Sequence, residues 1–147
     1  MRETIKKIKY KKKLFAYLIN EKRFANLGVN FVTPNFFSLQ LGFINHKKNH
    51  IVKPHTHNKF LRKIKKTTEI LFIKKGILRV DFYINKKTYL FSHLIKKNQI
   101  LILLTGSHGF KVIKDSSIIE VKQGPFSSIL DKSKFEPVDE KKIKIRK

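Results

Sequence analysis

The 147-residue chain has no cysteine and no tryptophan, only 4 prolines and 6 glycines, and 10 acidic residues against 34 basic ones. Without cysteine there is no disulfide framework, no zinc knuckle and no thiol nucleophile, and cysteine usage leaves the redox compartment open. The longest purely aliphatic run, Ile100 to Leu104, is five residues, far short of the roughly 20 apolar residues that a spanning helix needs. No apolar stretch with a cleavage site follows the basic N-terminus. This argues against a signal peptide and for a soluble, cytoplasmic protein. No glycine-rich phosphate loop opens a helix and no Gly-x-Ser-x-Gly elbow is present, so nucleotide hydrolysis, dinucleotide redox chemistry and serine-elbow catalysis lack support.

What is present is hydrophobic and basic. Apolar residues make up 41% and aromatic residues 12%, with 13 Phe, well away from the composition of a disordered chain. The length suits one domain with one core. The net charge of +24 first suggests nucleic acid. However, 29 of the basic residues are Lys and 5 are Arg, whereas bidentate base and phosphate recognition favours Arg. The 19 Ile and 2 Ala fit a drift toward A- and T-rich codons, which accounts for Lys over Arg but not for the scarcity of Glu. The lysines are spread along the chain, with clusters at Lys6–Lys13, Lys47–Lys66 and Lys141–Lys147. The charge therefore reads mainly as solvated surface, and a basic nucleic-acid-binding barrel is the least favoured reading. The aromatic pairs Phe36-Phe37 and Phe82-Tyr83 alternate with polar residues in the manner of core packing.

The chain divides into a basic lead (1–23), a β-rich body (about 30–125) and a basic tail (131–147), with no repeat and no linker. A single domain over 1–147 is expected. Leu14–Ile19 is a strand or a helical turn, which periodicity does not separate at this length. The tail is expected to pack only loosely. The body reads as short strands: Phe36–Ile44, His50–His57, Glu69–Lys74, Ile77–Ile84, Thr88–Leu94, Gln99–Leu104, Gly109–Ile113 and Ser117–Gln123. Turn signals separate them at Lys75-Gly76, Asn85–Lys87, Lys97-Asn98, Thr105–Ser107, Lys114–Ser116 and Gly124-Pro125. No helical pattern appears between Asn30 and Gln123, so the expected class is all-β, a sandwich or barrel.

The histidines carry the candidate chemistry. On an extended strand, His55 and His57 share a face with Cα atoms about 6.6 Å apart, where two imidazoles can converge on one metal ion. The alternative is a polar loop. Glu69 is the only acid between Glu21 and Asp81 and opens the apolar stretch Glu-Ile-Leu-Phe-Ile. Such a position demands a partner, either a cation or a lysine. His108 opens a further strand after the Thr-Gly-Ser turn.

His55-x-His57, then Glu69 followed by six residues and Gly76, with His108 downstream, resembles the two motifs of the cupin superfamily over roughly His50 to Gln123. The resemblance implies a jelly-roll β-barrel and one divalent ion held by His55, His57, Glu69 and His108, a donor set that suits Fe, Mn, Zn and Ni alike. The pattern departs from the family's in the eleven residues between His57 and Glu69, in Asn49 where the first motif begins with Gly, and in Lys97 and Leu103 at second-motif Gly and Pro positions. Glu120-Val-Lys-Gln-Gly-Pro-Phe is similar to a segment of small bacterial cupins associated with surface-polysaccharide loci. Cupin-type barrels often pair, and Leu14–Ile19 is a candidate for extending a partner's sheet in a homodimer.

Glu120 and Lys122 share one strand face, and Arg79, Asp81 and Tyr83 share another. If these faces line the barrel, Glu120, Lys122 and Tyr83 are candidate acid/base groups and Arg79 is a ligand contact. If they face water, they are ordinary surface pairs. Arg62 and the lysines of the inserted loop flank the approach to the proposed ion and favour an anionic ligand. His46, His50 and His93 take surface or packing positions. The expected function is a metal-dependent isomerase or epimerase acting on a small anionic or sugar-like substrate. An iron-dependent dioxygenase and a non-catalytic metal- or sugar-binding module are the alternatives.

Overall fold

The computed structural model describes residues 4–21, 24, 26–127, 129 and 131–147. Its strands are β1 (Ile5–Tyr10), β2 (Lys13–Asn20), β3 (Gly28–Phe31), β4 (Gly42–Asn45), β5 (Glu69–Ile84), β6 (Thr88–Lys96), β7 (Gln99–Leu103) and β8 (Ser107–Lys122), followed by a 3₁₀ turn at Glu140–Lys142. Among the described residues no helix is long and apolar enough to cross a membrane. The eight strands make up the expected all-β class. The density of Ile, Phe, Tyr and Val in these stretches is what makes them strands.

β5 organises the main sheet. On one side it pairs antiparallel with β8, from Glu69 opposite Lys122 to Tyr83 opposite Ser107. On the other side β7 covers Glu69–Phe72 and β6 covers Ile77–Ile84. β6 and β7 thus act as successive stretches of one antiparallel neighbour. Between them lies a jog at Lys97-Asn98, where Asn98 takes φ of +63° and its N–H donates to the Ile73 carbonyl at 2.9 Å. β2 pairs with β7, and β1 with β2. The result is a curled antiparallel half-barrel, with the β3–β4 hairpin as a separate small sheet.

Two expected turns lie inside strands. Lys75-Gly76 and Lys114–Ser116 face each other across the β5–β8 ladder, where the register shifts between Ile73 and Leu78. The irregularity is a bulge, and it changes the parity of β5. Leu71 and Ile73 before it, and Leu78, Val80 and Phe82 after it, all enter one buried cluster with Ile8, Phe15, Phe91 and Leu101. Without the extra step, one half of β5 would turn its apolar residues outward. Across that core Phe82 meets Phe15 edge-on at 6.1 Å and Phe91 at 5.4 Å. A second cluster on the other side, built on Tyr17, Ile19, Ile70, Ile100 and Ile102, is covered by Phe37, Leu39, Leu41 and Phe43.

The ends of the chain depart from expectation. Leu14–Ile19 lies in β2, paired on both sides by β1 and β7, so it is no free edge for a partner's sheet. The tail is tied down rather than loose. The Ser92 N–H donates to the Lys144 carbonyl and the Arg146 N–H to the Ser92 carbonyl, each at 2.8 Å, while the Arg146 guanidinium lies 3.8 Å from the centre of the Phe91 ring. The expected strands at Phe36–Ile44 and His50–His57 are replaced by irregular chain, of which only Gly42–Asn45 is strand.

Gly76 has φ of +90°, and an added Cβ would sit 2.2 Å from the Asp115 carbonyl. Gly76→Ala is therefore expected to lower the unfolding free energy by about 3 kcal/mol, read as a reduced urea midpoint; an unchanged midpoint would show that the bulge is not needed. His93 is 5% exposed between Phe82 and Phe91, and burial, with Lys6 and Arg146 adding to it, pushes its pKa down from 6.5 to about 4. The unfolded chain takes up this proton first, so stability is full above the unfolded value and falls as pH drops from 6.5 toward 4. Urea midpoints across that window should decline in the wild type, and less steeply in His93→Phe.

Candidate active site

The start of β5 and the start of β8 meet. The Glu69 carboxylate accepts a hydrogen bond from His108 Nε2 at 2.9 Å, although the cross-strand partner of His108 is Phe82, near the far end of β5. The contact becomes possible because β7 brings Leu103 opposite Glu69 and the chain then turns through Gly106, at φ of +83°, into β8. Gly106 is required at this corner, since a Cβ there would lie 2.4 Å from the Phe15 ring.

Glu69 is 7% exposed. The His108 hydrogen bond is the main force holding its pKa below the usual carboxylate value; burial opposes it, and charge from His108, Lys132 and Lys122 adds to it. Glu69 is thus a fixed carboxylate. With Nε2 given to Glu69, Nδ1 is the ring nitrogen left for another partner. A carboxylate that orients an imidazole in this way is the arrangement of a general base.

The pair lies in a cleft of about 890 Å³ whose wall includes Lys66, Arg79, Asp81, Tyr83, Lys111, Lys132, Lys134 and Glu140. Arg79, Asp81 and Tyr83 share a face, as expected, but all three are buried rather than solvent-facing. The tail covers them. Arg79 Nε and Nη2 donate to Asp81 at 2.8 and 3.0 Å, and Nη1 and Nη2 donate to Glu140 at 2.8 and 2.9 Å. These pairings raise the Arg79 pKa, the Glu140 bond foremost, and lower that of Glu140 to about 2 through Arg79 and then Lys111. Arg79 is occupied on both edges of its guanidinium, so it acts as a staple between β5 and the tail, not as an open ligand contact. The Tyr83 hydroxyl accepts from the Val138 N–H at 3.1 Å. Burial raises its pKa.

The remaining expected residues lie elsewhere. Residues 46–67 are irregular and exposed throughout. His55 and His57 lie on this segment with ring centroids 5.3 Å apart, and Arg62 stacks on Phe60 at 3.6 Å. None of the three lines the cleft. Glu120 is exposed on β8, and Lys122 lies 3.9 Å from Asp131. Among the described residues no group of three or more His, Asp or Glu side chains is close enough to hold a metal ion. Glu69 and His108 are suitable neighbouring donors, but the three-imidazole, one-carboxylate set is not assembled. Lys111, Lys132 and Glu140 are cleft residues that the sequence reading missed. The available signal was the apolar spacing of Phe135 and Val138 in the tail, which marks a segment that lies on something.

Comparison of the chain with protein-family models, with curated proteins and with solved structures finds no match.

Removing the imidazole should release the carboxylate. In His108→Ala the Glu69 pKa is expected to rise and stability to fall by about 2 kcal/mol, followed by carboxyl-carbon NMR across an acid titration. A Glu69 titration that does not move would show that the hydrogen bond is not made.

Proposed function

We propose that the protein is a small-molecule enzyme with a jelly-roll barrel of the cupin type, and that the Glu69–His108 cleft is its active site. The carrying observation is a buried carboxylate bonded at 2.9 Å to an imidazole within a cleft of about 890 Å³. In the proposed reaction, a proton shift on a small anionic or sugar-like substrate, Glu69 orients His108, and Nδ1 removes a proton from carbon next to a carbonyl. Tyr83 supplies a proton. Lys132, whose Nζ is 3.9 Å from Glu69, stabilises the negative charge that develops. The cationic wall formed by Lys66, Lys111, Lys132 and Lys134 favours a phosphate or carboxylate on the substrate.

The test is solvent deuterium exchange into a panel of sugar phosphates and sugar nucleotides, followed by NMR. Wild-type protein is expected to label at least one of them at the carbon next to the carbonyl, and His108→Gln to slow labelling by at least about 100-fold. Binding without exchange would favour a non-catalytic sugar-binding module.

A metal-centred form of this reading has its own support. Two of its four donors, Glu69 and His108, already touch. Segment 46–67, which carries His55 and His57, ends at Lys66 and Thr67 in the cleft wall. This form expects near-stoichiometric divalent metal in purified protein, lost in the His55→Ala/His57→Ala double variant. Metal-free wild-type protein would remove this form and leave the acid/base cleft standing.

A further inference from the structure

A second depression, of about 680 Å³, opens beside the cleft and shares Lys66, Leu104 and Thr105 with it. Its floor is aromatic. Phe36 is 85% exposed and meets Phe37 edge-on at 5.1 Å, and Phe37 rests against Tyr17 at 6.2 Å. The spacing of Phe36 suggested core packing, yet its ring faces solvent. The rim is cationic, with Lys13, Lys63, Lys65 and Lys66. Among the described residues none of these four is in an ion pair, and no acidic residue lines the groove.

The rim continues into segment 46–67. These 22 consecutive residues are exposed and carry eight Lys or Arg and no Asp or Glu. Folding gains nothing from concentrating like charge on an irregular stretch, since the charges repel one another. A polyanion laid along it would relieve that repulsion. Charge alone would suit any polyanion. The exposed ring of Phe36 at the end of the track narrows the choice, because an aromatic face binds unpaired bases and a duplex hides them.

We propose that this groove and the basic segment form a binding site for single-stranded nucleic acid, with bases stacking on Phe36 and phosphates along residues 46–67. The site adjoins the Glu69–His108 cleft, with Lys66, Leu104 and Thr105 common to both, but does not depend on its chemistry.

The experiment is fluorescence anisotropy of the full chain with labelled oligo(U) and oligo(dT) of about 20 nucleotides. Binding is expected to weaken steeply between about 50 and 200 mM salt. Phe36→Ala should reduce affinity about tenfold, while Phe36→Trp keeps it. Phe36 is almost fully exposed, so neither change should disturb folding, which circular dichroism checks. The triple variant Lys63→Gln/Lys65→Gln/Lys66→Gln should lower the slope of log affinity against log salt by about 2. A preference for oligo(U) or for oligo(dT) would identify RNA or DNA as the source of the strand, and either supports the site. The proposal is overturned by absence of binding at about 50 mM salt, by an affinity unchanged in Phe36→Ala, or by equal competition from duplex DNA or phosphatidylserine vesicles.

Discussion

A 13-residue separation along a flat strand would hold Glu69 and Phe82 roughly 43 Å apart. Yet His108, the cross-strand partner of Phe82, touches the Glu69 carboxylate at 2.9 Å. That contact exists only because β5 and β8 curl together, and the curl has a local origin. Opposite each other in the ladder, Gly76 and the Lys114–Ser117 stretch break register, which bends the pair and shifts its side-chain parity. The single core on one side of β5 depends on that parity shift, while the corner at Gly106, beside Leu103 opposite Glu69, completes the path that brings His108 to the carboxylate.

Charge within the curl is arranged by burial. Glu69 and Asp81 are both buried acids in a strongly basic chain. Each has a cationic or hydrogen-bonding partner, Glu69 in His108 and Asp81 in Arg79. An unpaired buried carboxylate would cost several kcal/mol, so these partners are structural necessities before they are chemical tools. The two sites then diverge. Arg79 is saturated by two carboxylates and locks the tail over β5, whereas His108 uses one ring nitrogen and keeps the other.

The strands from Glu69 to Lys122 were legible because their Ile, Phe and Val density and the turn residues at Asn85–Lys87 and Lys97-Asn98 are local signals. β1 and β3 were not, and the expected strands at Phe36–Ile44 and His50–His57 are largely irregular chain. Nor was the length of β5 and β8. Lys75-Gly76 looks like a turn in isolation, and only the facing strand shows that the same glycine serves a bulge. The demand of Glu69 for a partner was readable from its scarcity and its apolar surroundings, and His108 was among the residues named. The burial of Arg79 and Asp81 was not readable, because the segment that covers them lies some 60 residues downstream at Glu140. Phe36 misled for a related reason. Its apolar spacing matches a strand, but the chain there is irregular and turns the ring outward.

Glu69 and His108 form one coupled, charge-assisted pair that fastens the curl and lines the cleft. A double-mutant cycle in urea with Glu69→Gln, His108→Gln and the double variant tests it most directly. A coupling free energy of about 2 kcal/mol between the two positions is expected. Single-variant effects that add to within about 0.5 kcal/mol would contradict it.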